Sequence, residues 1–464
     1  MGKMNINSLV QIENIFKLHD VEQIYIKRLS LKQDNDKNQI YLGNTSGLSN
    51  LFPSMLKAGN TSESSQKGHS SKGKSIIYAE LNYYWLDKKG EKYKAPNAKN
   101  INYFQYAKSG EVRLSGFISK CKNPPDCLRR EKQEIYGKRI LILGFNRSGE
   151  TFGLAINEKE DSIVSNFPDF KNSEFSDLIQ TYIIGSGIQS SARDLLREEI
   201  RKLSGSWQPS ITLTKKGVKP VPFKGNQGNG YTLEALLGIP RNSSKSPDKY
   251  GFEIKSFKSK SGKIALMTPT ADEGEEGRLS FREFMSLYGW ERKSGGEGKV
   301  FNGVHRYRKQ NSNTNLTLDI RESDAIPVDE ISESNNIVVG LYQITDPQLI
   351  SGWSFQKLLD SWSEKHSSAC YVEYIVRPYT GIDEKHDNEY KYTGKVYFAI
   401  GTHIFFYLDA IKNDIVFYDP GHSMSPSGKT KQRPQWRIGV IKELEKRLGH
   451  LYNEVYKETL IESI

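Results

Sequence analysis

Cysteine is almost missing from this chain: its 464 residues hold three, Cys121, Cys127 and Cys370. So sparse and odd a set excludes a disulfide framework and fits a reducing compartment. Cys121 and Cys127 flank Pro124 and Pro125 with no CxxC and no paired histidines, so structural zinc is not expected. Long hydrophobic runs are missing too, since nothing approaches the roughly 18 apolar residues of a membrane span. The opening residues MGKMNINSLVQIENIF lack the apolar core of a signal peptide. A soluble, cytoplasmic protein is expected. Acidic charge is the third shortage. Against 66 lysines and arginines stand 55 aspartates and glutamates, a formal net charge of +11. That balance favours a polyanionic partner, of which nucleic acid is the commonest.

What is present suffices for packed interiors: 36% of the residues are hydrophobic and 11% aromatic, which excludes global disorder. The length favours two domains. The first half reads as β-rich after near-helical spacing over residues 8–28. A polar loop of Ser, Gly and Lys follows at 59–74. Strand-like segments at 75–86, 111–119, 138–145 and 150–157 are rich in β-branched and aromatic residues and bounded by turns, as in a barrel or sandwich. Residues 191–203 have helical spacing. Residues 204–230, dense in Gly, Pro and Lys, read as the boundary and an exposed linker. Beyond them come helix (231–238), strands (250–257 and 263–268), helix (279–287), strand (334–344) and helix (354–366). Strands ACYVEYIVRP, KVYFAIGTHIFFYL and DIVFYDP follow, then a last helix over 437–461. The pattern is mixed α/β, a sheet covered by helices.

Two glycine motifs mislead. GHSSKGKS has Gly68, Gly73, Lys74 and Ser75 placed as in a phosphate-binding loop. That loop works only between a buried strand and a helix whose N–H groups cradle phosphate; here a serine loop leads in and a strand leads out. GNQGNG (225–230) has no strand before it, as a dinucleotide site requires. His305, His366 and His403 lack metal-ligand spacing and read as core or surface residues.

The stretch SPDKYGFEIKSFKSK (246–260) is different. On a strand, Phe252 and Ile254 face one side while Glu253 and Lys255 face the other. Asp248, just before the strand, can fold back toward Glu253. Two carboxylates and the Ile254 carbonyl are the oxygen ligands that Mg²⁺ prefers. Phosphodiester hydrolysis needs such an ion to neutralise charge and activate water, and Lys255 adds a point charge beside the phosphate. An acid followed two residues later by a lysine also occurs on ordinary charged strand faces. In DIVFYDPGHSMSPSGKTKQRPQWRI (414–438), Asp419, His422, Lys429, Lys431, Arg433 and Arg437 alternate with turn residues. Arginine pairs bidentately with guanine and an acid accepts from cytosine, so such a loop can read G·C pairs; a basic surface loop is the plainer reading.

The segment 231–268 resembles the catalytic core of the MvaI/BcnI restriction endonucleases, within the wider PD-(D/E)xK group. The order of parts is a helix with TLEALLG, a polar loop, PD, four residues, E-x-K, and a hydrophobic strand ending at Thr268-Pro269. A looser likeness spans about 205–440. The resemblance implies metal acids at Asp248 and Glu253, a catalytic lysine at Lys255, and a further acid at Glu234. It also implies a Mg²⁺-dependent type II endonuclease acting on double-stranded DNA at a short CCNGG-like site, with CCWGG the first expectation. A monomer paired with a cytosine methyltransferase is expected. Family members often carry a His-Asp-His run before the final arginine. Here the place reads TKQR (430–433), which leaves Arg437 as the base reader.

The N-terminal half, with EVRLSGFISKCKNPPDCLRREK (111–132), resembles the B3-like domain of type IIE enzymes, which bind a second copy of the site. The expected architecture is α+β: a B3-like β-barrel effector domain (1–203), then a PD-(D/E)xK nuclease (204–464) with a mixed sheet flanked by helices. Arg113, Lys120, Lys122, Arg129 and Arg130 are its candidate DNA contacts. A nuclease of repair or mobile elements, and a DNA-binding regulator with an inert nuclease, are the alternatives.

Overall fold

The computed structural model describes residues 5–30, 39–44, 51–52, 56–60, 75–103, 111–146, 148–173, 176–185, 192–214, 219–241, 247–258, 262–292, 296–322, 336–345, 348–382, 385–439 and 443–461. The phosphate-loop look-alike at Gly68, Gly73 and Lys74 lies outside them. The chain divides into two compact units. One comprises Met1–Lys57, Ile76–Ile200 and Lys245–Gly251, the other Ala58–Ser75, Arg201–Ser244 and Phe252–Ile464.

In the first unit the expected helical start splits. Leu9–Lys17 is a helix that buries Ile12, Ile15 and Phe16. Asp20, at φ 58°, then turns the chain, and Gln23–Leu29 becomes a strand with Ile24 and Ile26 inside. The period changes from helical to two within six residues, which a single window blurs. That strand lies inside a seven-stranded sheet ordered 172–173, 176–183, 23–29, 139–145, 150–157, 82–86, 92–94. Neighbours are antiparallel except Glu150–Asn157 beside Asn82–Leu86. The helix and one sheet face share a core of Ile12, Phe16, Ile24, Ile142, Phe152 and Leu154.

Residues 75–86 form two strands in different sheets: Ser75–Glu80 pairs with Lys99–Tyr103, and Asn82–Leu86 with Lys92–Lys94. Ile77, Ala79, Leu81, Tyr83 and Trp85 are all buried, so one alternating segment turns a corner between sheets, as in orthogonal β packing. Among the described residues no barrel closes; the strands are arranged in open sheets.

The second unit is built on five strands in one sheet, ordered Trp207–Pro209, Asn388–Ile400, Ser368–Pro378 and Glu253–Lys258, with Glu454–Thr459 also on Asn388–Ile400. Glu253–Lys258 is parallel to Ser368–Pro378, and the other pairings are antiparallel. Three corrections to the expected elements follow. Residues 204–230 do not form an exposed linker throughout: Trp207–Pro209 joins the sheet, Ile211–Leu213 pairs with Pro220–Pro222, and Ser210 and Thr212 are buried. KVYFAIGTHIFFYL is strand only to Ile400. Gly401 turns at φ 69°, His403 Nδ1 caps the Phe405 N–H, and Ile404–Lys412 is a helix burying Ile404, Tyr407, Leu408 and Ile411. That is helical spacing, hidden by residues of high strand propensity. The last helix shrinks to Leu444–Leu448, and Glu454–Thr459 is a strand. The remaining sheets include Ile264–Met267, Trp436–Ile438 and Val416–Tyr418 in one, and Trp290–Glu291, Lys299–Asn302, Gly421–Met424 and Thr430–Lys431 in another.

Candidate active site

Parallel pairing sets Glu253 opposite Ala369 and Lys255 opposite Tyr371. Because side chains alternate along a strand, Glu253 and Lys255 share one face. Glu253 is 2% exposed. Its Oε1 accepts from Lys255 Nζ at 2.6 Å, and Lys365 Nζ lies 3.7 Å from the same oxygen. Its Oε2 is buried with no hydrogen-bond partner among the described residues. Burial alone pushes the Glu253 carboxyl up, but the Lys255 and Lys365 charges prevail and hold it below the ordinary carboxylate range.

Behind this pair lies a satisfied polar chain. The hydroxyls of Tyr371 and Tyr452 are 3.0 Å apart, Tyr452 Oη is 2.9 Å from His366 Nδ1, and His366 Nε2 is 2.8 Å from the Leu266 carbonyl. The ring stacks on Trp362 at 4.3 Å. A carbonyl can only accept, so Nε2 carries the proton and Nδ1 accepts from Tyr452. Burial, then the Lys255 charge, lowers the His366 pKa to about 3. The histidine is a neutral scaffold residue, as are the buried His305 and His403.

Asp248 precedes the strand across a tight turn in which Tyr250 and Gly251 have φ of 50° and 80°. Two left-handed residues in succession reverse the chain, and glycine bears the second without steric cost. The turn is tied down beside Asp248: Tyr250 Oη donates to Glu199 Oε1 at 2.6 Å, and Lys249 pairs with Glu199 Oε2. Burial, then the hydrogen bond to Glu199, pushes the Tyr250 phenol up to about 12. Glu234 stands half-buried on the helix Gly228–Leu236. Asn229 Nδ2 of that helix donates to Ser256 Oγ at 2.8 Å, on the strand face opposite Glu253 and Lys255. The structure thus brings together Glu253 and Lys255, and adds Lys365, which the sequence reading missed.

The donor set suits a hard cation in one respect. An ionised carboxylate with a buried oxygen that nothing satisfies is costly unless a ligand completes it. Among the described residues no group of three or more His, Cys, Asp or Glu is arranged for a metal, so the fit rests on carboxylate and carbonyl oxygens.

Of the expected DNA readers, Lys429, Lys431 and Arg433 are exposed. Asp419 and Arg437 are joined, with Arg437 Nη1 3.4 Å from Asp419 Oδ2, and Lys263 Nζ reaches the same oxygen at 2.9 Å. Arg437 also donates to Gln435 Oε1. His422 does not fit a direct DNA contact. It is buried, accepts at Nδ1 from the Arg433 N–H at 2.9 Å, and meets Tyr418 Oη at 3.1 Å. Its work is to hold the hairpin that presents Arg433. In the first unit Lys120 and Lys122 are exposed, and Arg130 is half-buried. Arg113 Nη1 donates to Gln39 Oε1 at 3.4 Å, and Arg129 pairs with Asp126 at 2.9 Å.

The structure thus sets a buried carboxylate and its lysine two residues apart on one strand, in a sheet with helices against it, and presents an exposed basic hairpin at Lys429, Lys431 and Arg433. The model of the MvaI/BcnI restriction endonuclease family matches residues 198–445, more than half of the chain. The chain belongs to that family of site-specific DNA endonucleases. Two solved structures of the restriction endonuclease MvaI are similar to it. One, a complex with cognate DNA substrate, is 21% identical, with 59% of this chain and 99% of MvaI covered and a TM-score of 0.43. The other, without DNA, is also 21% identical, with 58% and 98% covered and a TM-score of 0.31. No curated protein matches the chain. Among the described residues no helix is long and apolar enough to cross a membrane.

Proposed function

We propose that this protein is a Mg²⁺-dependent type II restriction endonuclease that cuts double-stranded DNA at a short CCNGG-like site, CCWGG in the first instance. The observation that carries this reading is the ionised, buried Glu253 with an unsatisfied Oε2 beside Lys255. Asp248, Glu253 and the Ile254 carbonyl would hold the ion, with Glu234 a further acid. When bound, Mg²⁺ supplies charge neutralisation at the phosphate and lowers the pKa of water.

The chain's own residues do the rest. Glu253 fixes the site on a rigid strand, and Lys255 stabilises charge developing on the phosphate oxygens. The water oxygen bonds to phosphorus as the water gives up a proton to solvent, the P–O3′ bond breaks, and O3′ leaves with a proton taken from solvent. The products are 5′-phosphate and 3′-hydroxyl ends. Arg437, oriented by Asp419 and Gln435, reads guanine, and Lys429, Lys431 and Arg433 meet phosphates and base edges. The N-terminal unit, as in the type IIE architecture of UbaLAI, binds a second DNA copy through Arg113, Lys120, Lys122, Arg129 and Arg130. The protein acts as a monomer in the bacterial cytoplasm beside a cytosine methyltransferase. Digestion of plasmid DNA with and without Mg²⁺, with the ends sequenced, tests the reading; scattered ends, or cleavage that survives chelation, would overturn it.

A further inference from the structure

The geometry points to Lys365 as a positioning residue of the active site, one that holds Glu253 when Lys255 turns to the DNA. This inference rests on the nuclease reading of the same site. Three observations carry it.

First, in the arrangement described, Lys255 Nζ is spent on Glu253 Oε1 at 2.6 Å. A lysine so engaged has to turn its charge toward the phosphate before it can stabilise it. Leaving Glu253 with no cation would strand a 2% exposed carboxylate, which is strongly unfavourable. Second, Lys365 Nζ is already 3.7 Å from the same oxygen. A small rotation of a flexible four-carbon stem closes that gap. Third, the topology fixes the approach. Lys365 lies in the last turn of the helix Phe355–His366, one residue separates that helix from the strand Ser368–Pro378, and Ala369 pairs with Glu253. Parallel pairing therefore delivers the helix C-terminus to the start of the Glu253 strand. A cation there also suits the helix dipole, which accounts for a lysine in the last turn but not for its head remaining beside a buried acid.

Lys365 and Lys255 thus act as alternates on one carboxylate oxygen. Lys365 keeps Glu253 compensated, so that its Oε2 would remain available to hold a divalent cation, and Lys255 becomes available to the phosphate.

The test uses the full-length protein with Lys365→Met, Lys365→Gln and Lys365→Arg. Single-turnover cleavage of a cognate duplex is measured in Mg²⁺, and affinity for the same duplex in Ca²⁺. Lys365→Met should slow cleavage roughly 10- to 100-fold with Ca²⁺ affinity essentially unchanged, because the donor is lost from the chemical step alone. Lys365→Arg should restore most of the rate, since charge and reach are kept. Lys365→Gln should match the methionine variant and serves in its place if that variant unfolds. Wild-type rates in both neutral variants would overturn the inference. So would a rate loss matched by an equal affinity loss, the mark of a phosphate anchor, and so would failure of arginine to rescue. Glu253→Ala separates the two levels: if it still cleaves, the site itself is wrong, whereas a dead Glu253→Ala beside a fully active Lys365→Met removes only the role of Lys365.

Discussion

Replacing Glu253 by glutamine removes one charge and almost no volume, which makes it a clean perturbation of the site. The carboxylate attracts Lys255 at 2.6 Å and Lys365 at 3.7 Å. At an effective dielectric near 20, a pair about 4 Å apart is worth about 4 kcal/mol before desolvation. Both lysines keep partial solvent contact, with side chains 22% and 36% exposed, so screening cuts that gain. The buried carboxylate also carries a desolvation cost of several kcal/mol, which glutamine relieves. The two nearly cancel, and Glu253→Gln should shift stability by no more than about 2 kcal/mol, leaving a folded protein. Chemistry has no such compensation. An amide neither stays anionic nor matches a carboxylate as a Mg²⁺ ligand, so cleavage should fall at least about 1,000-fold, about 4 kcal/mol in the barrier. DNA affinity in Ca²⁺ should hold or rise, because a negative charge beside the phosphate has gone. Thermal melting, filter binding in Ca²⁺ and plasmid cleavage in Mg²⁺ read the three terms separately. Cleavage above about a hundredth of wild type in the folded variant would refute the assignment.

The other expectations concern recognition, regulation and acid stability. Arg437→Ala should cost roughly 1–3 kcal/mol of cognate binding and far less on random duplexes; equal losses in a competition assay would demote it to a backbone contact. A plasmid with two sites should be cut faster than one with a single site, and a short cognate duplex in trans should rescue the slower one. No difference between the plasmids would sink the effector role. His305, His403 and His422 are buried, and burial lowers their pKa values to about 4, about 3 and about 3. Unfolding returns each to about 6.5, so the unfolded chain binds more protons below that pH. Their contribution is complete above about pH 7 and is lost as pH falls toward 4, by up to about 1.4 kcal/mol per pH unit for each histidine. Glu276, whose pKa burial raises, offsets part of this as the pH falls. Urea melts at pH 7.5 and 5.5 check the slope; equal stability at both would contradict it.

Within the candidate site, the Glu253–Lys255 pair was legible in the sequence from local spacing alone. Glu253 and Lys255 share a face because two residues on a strand must, and Asp248 sits across a turn that Gly251 makes possible. Lys365 was not legible. Its place depends on parallel pairing between segments more than a hundred residues apart, and along the chain it is merely a lysine ending an amphipathic helix. His422 misled for the opposite reason: a polar residue in a Gly/Ser/Pro stretch looks exposed, yet here it plugs the hairpin. Element type failed where composition and period disagreed. Ile404–Lys412 has aromatic, strand-like residues at helical spacing, and the spacing won because Gly401 and the His403 cap start a helix. Glu454–Thr459 was absorbed into a neighbouring helical pattern, although Gly449 separates the two.

That last strand has a consequence in time. Glu454–Thr459 lies beyond the family match, which ends at 445, yet it pairs along Lys395–Ile400 in the sheet that carries Glu253. Asn388–Ile400 is complete 54 residues before Glu454 is reached, which at ribosomal speeds is roughly 3–11 s of synthesis. Throughout that interval Lys395–Ile400 of the sheet's longest strand presents an unpaired edge, a template for aggregation, and the sheet that carries Glu253 is incomplete. The sheet that carries Glu253 is therefore complete only once Glu454–Thr459 has been made. A chain cut short near residue 445 should be sticky and inactive rather than a slow nuclease loose on the host chromosome.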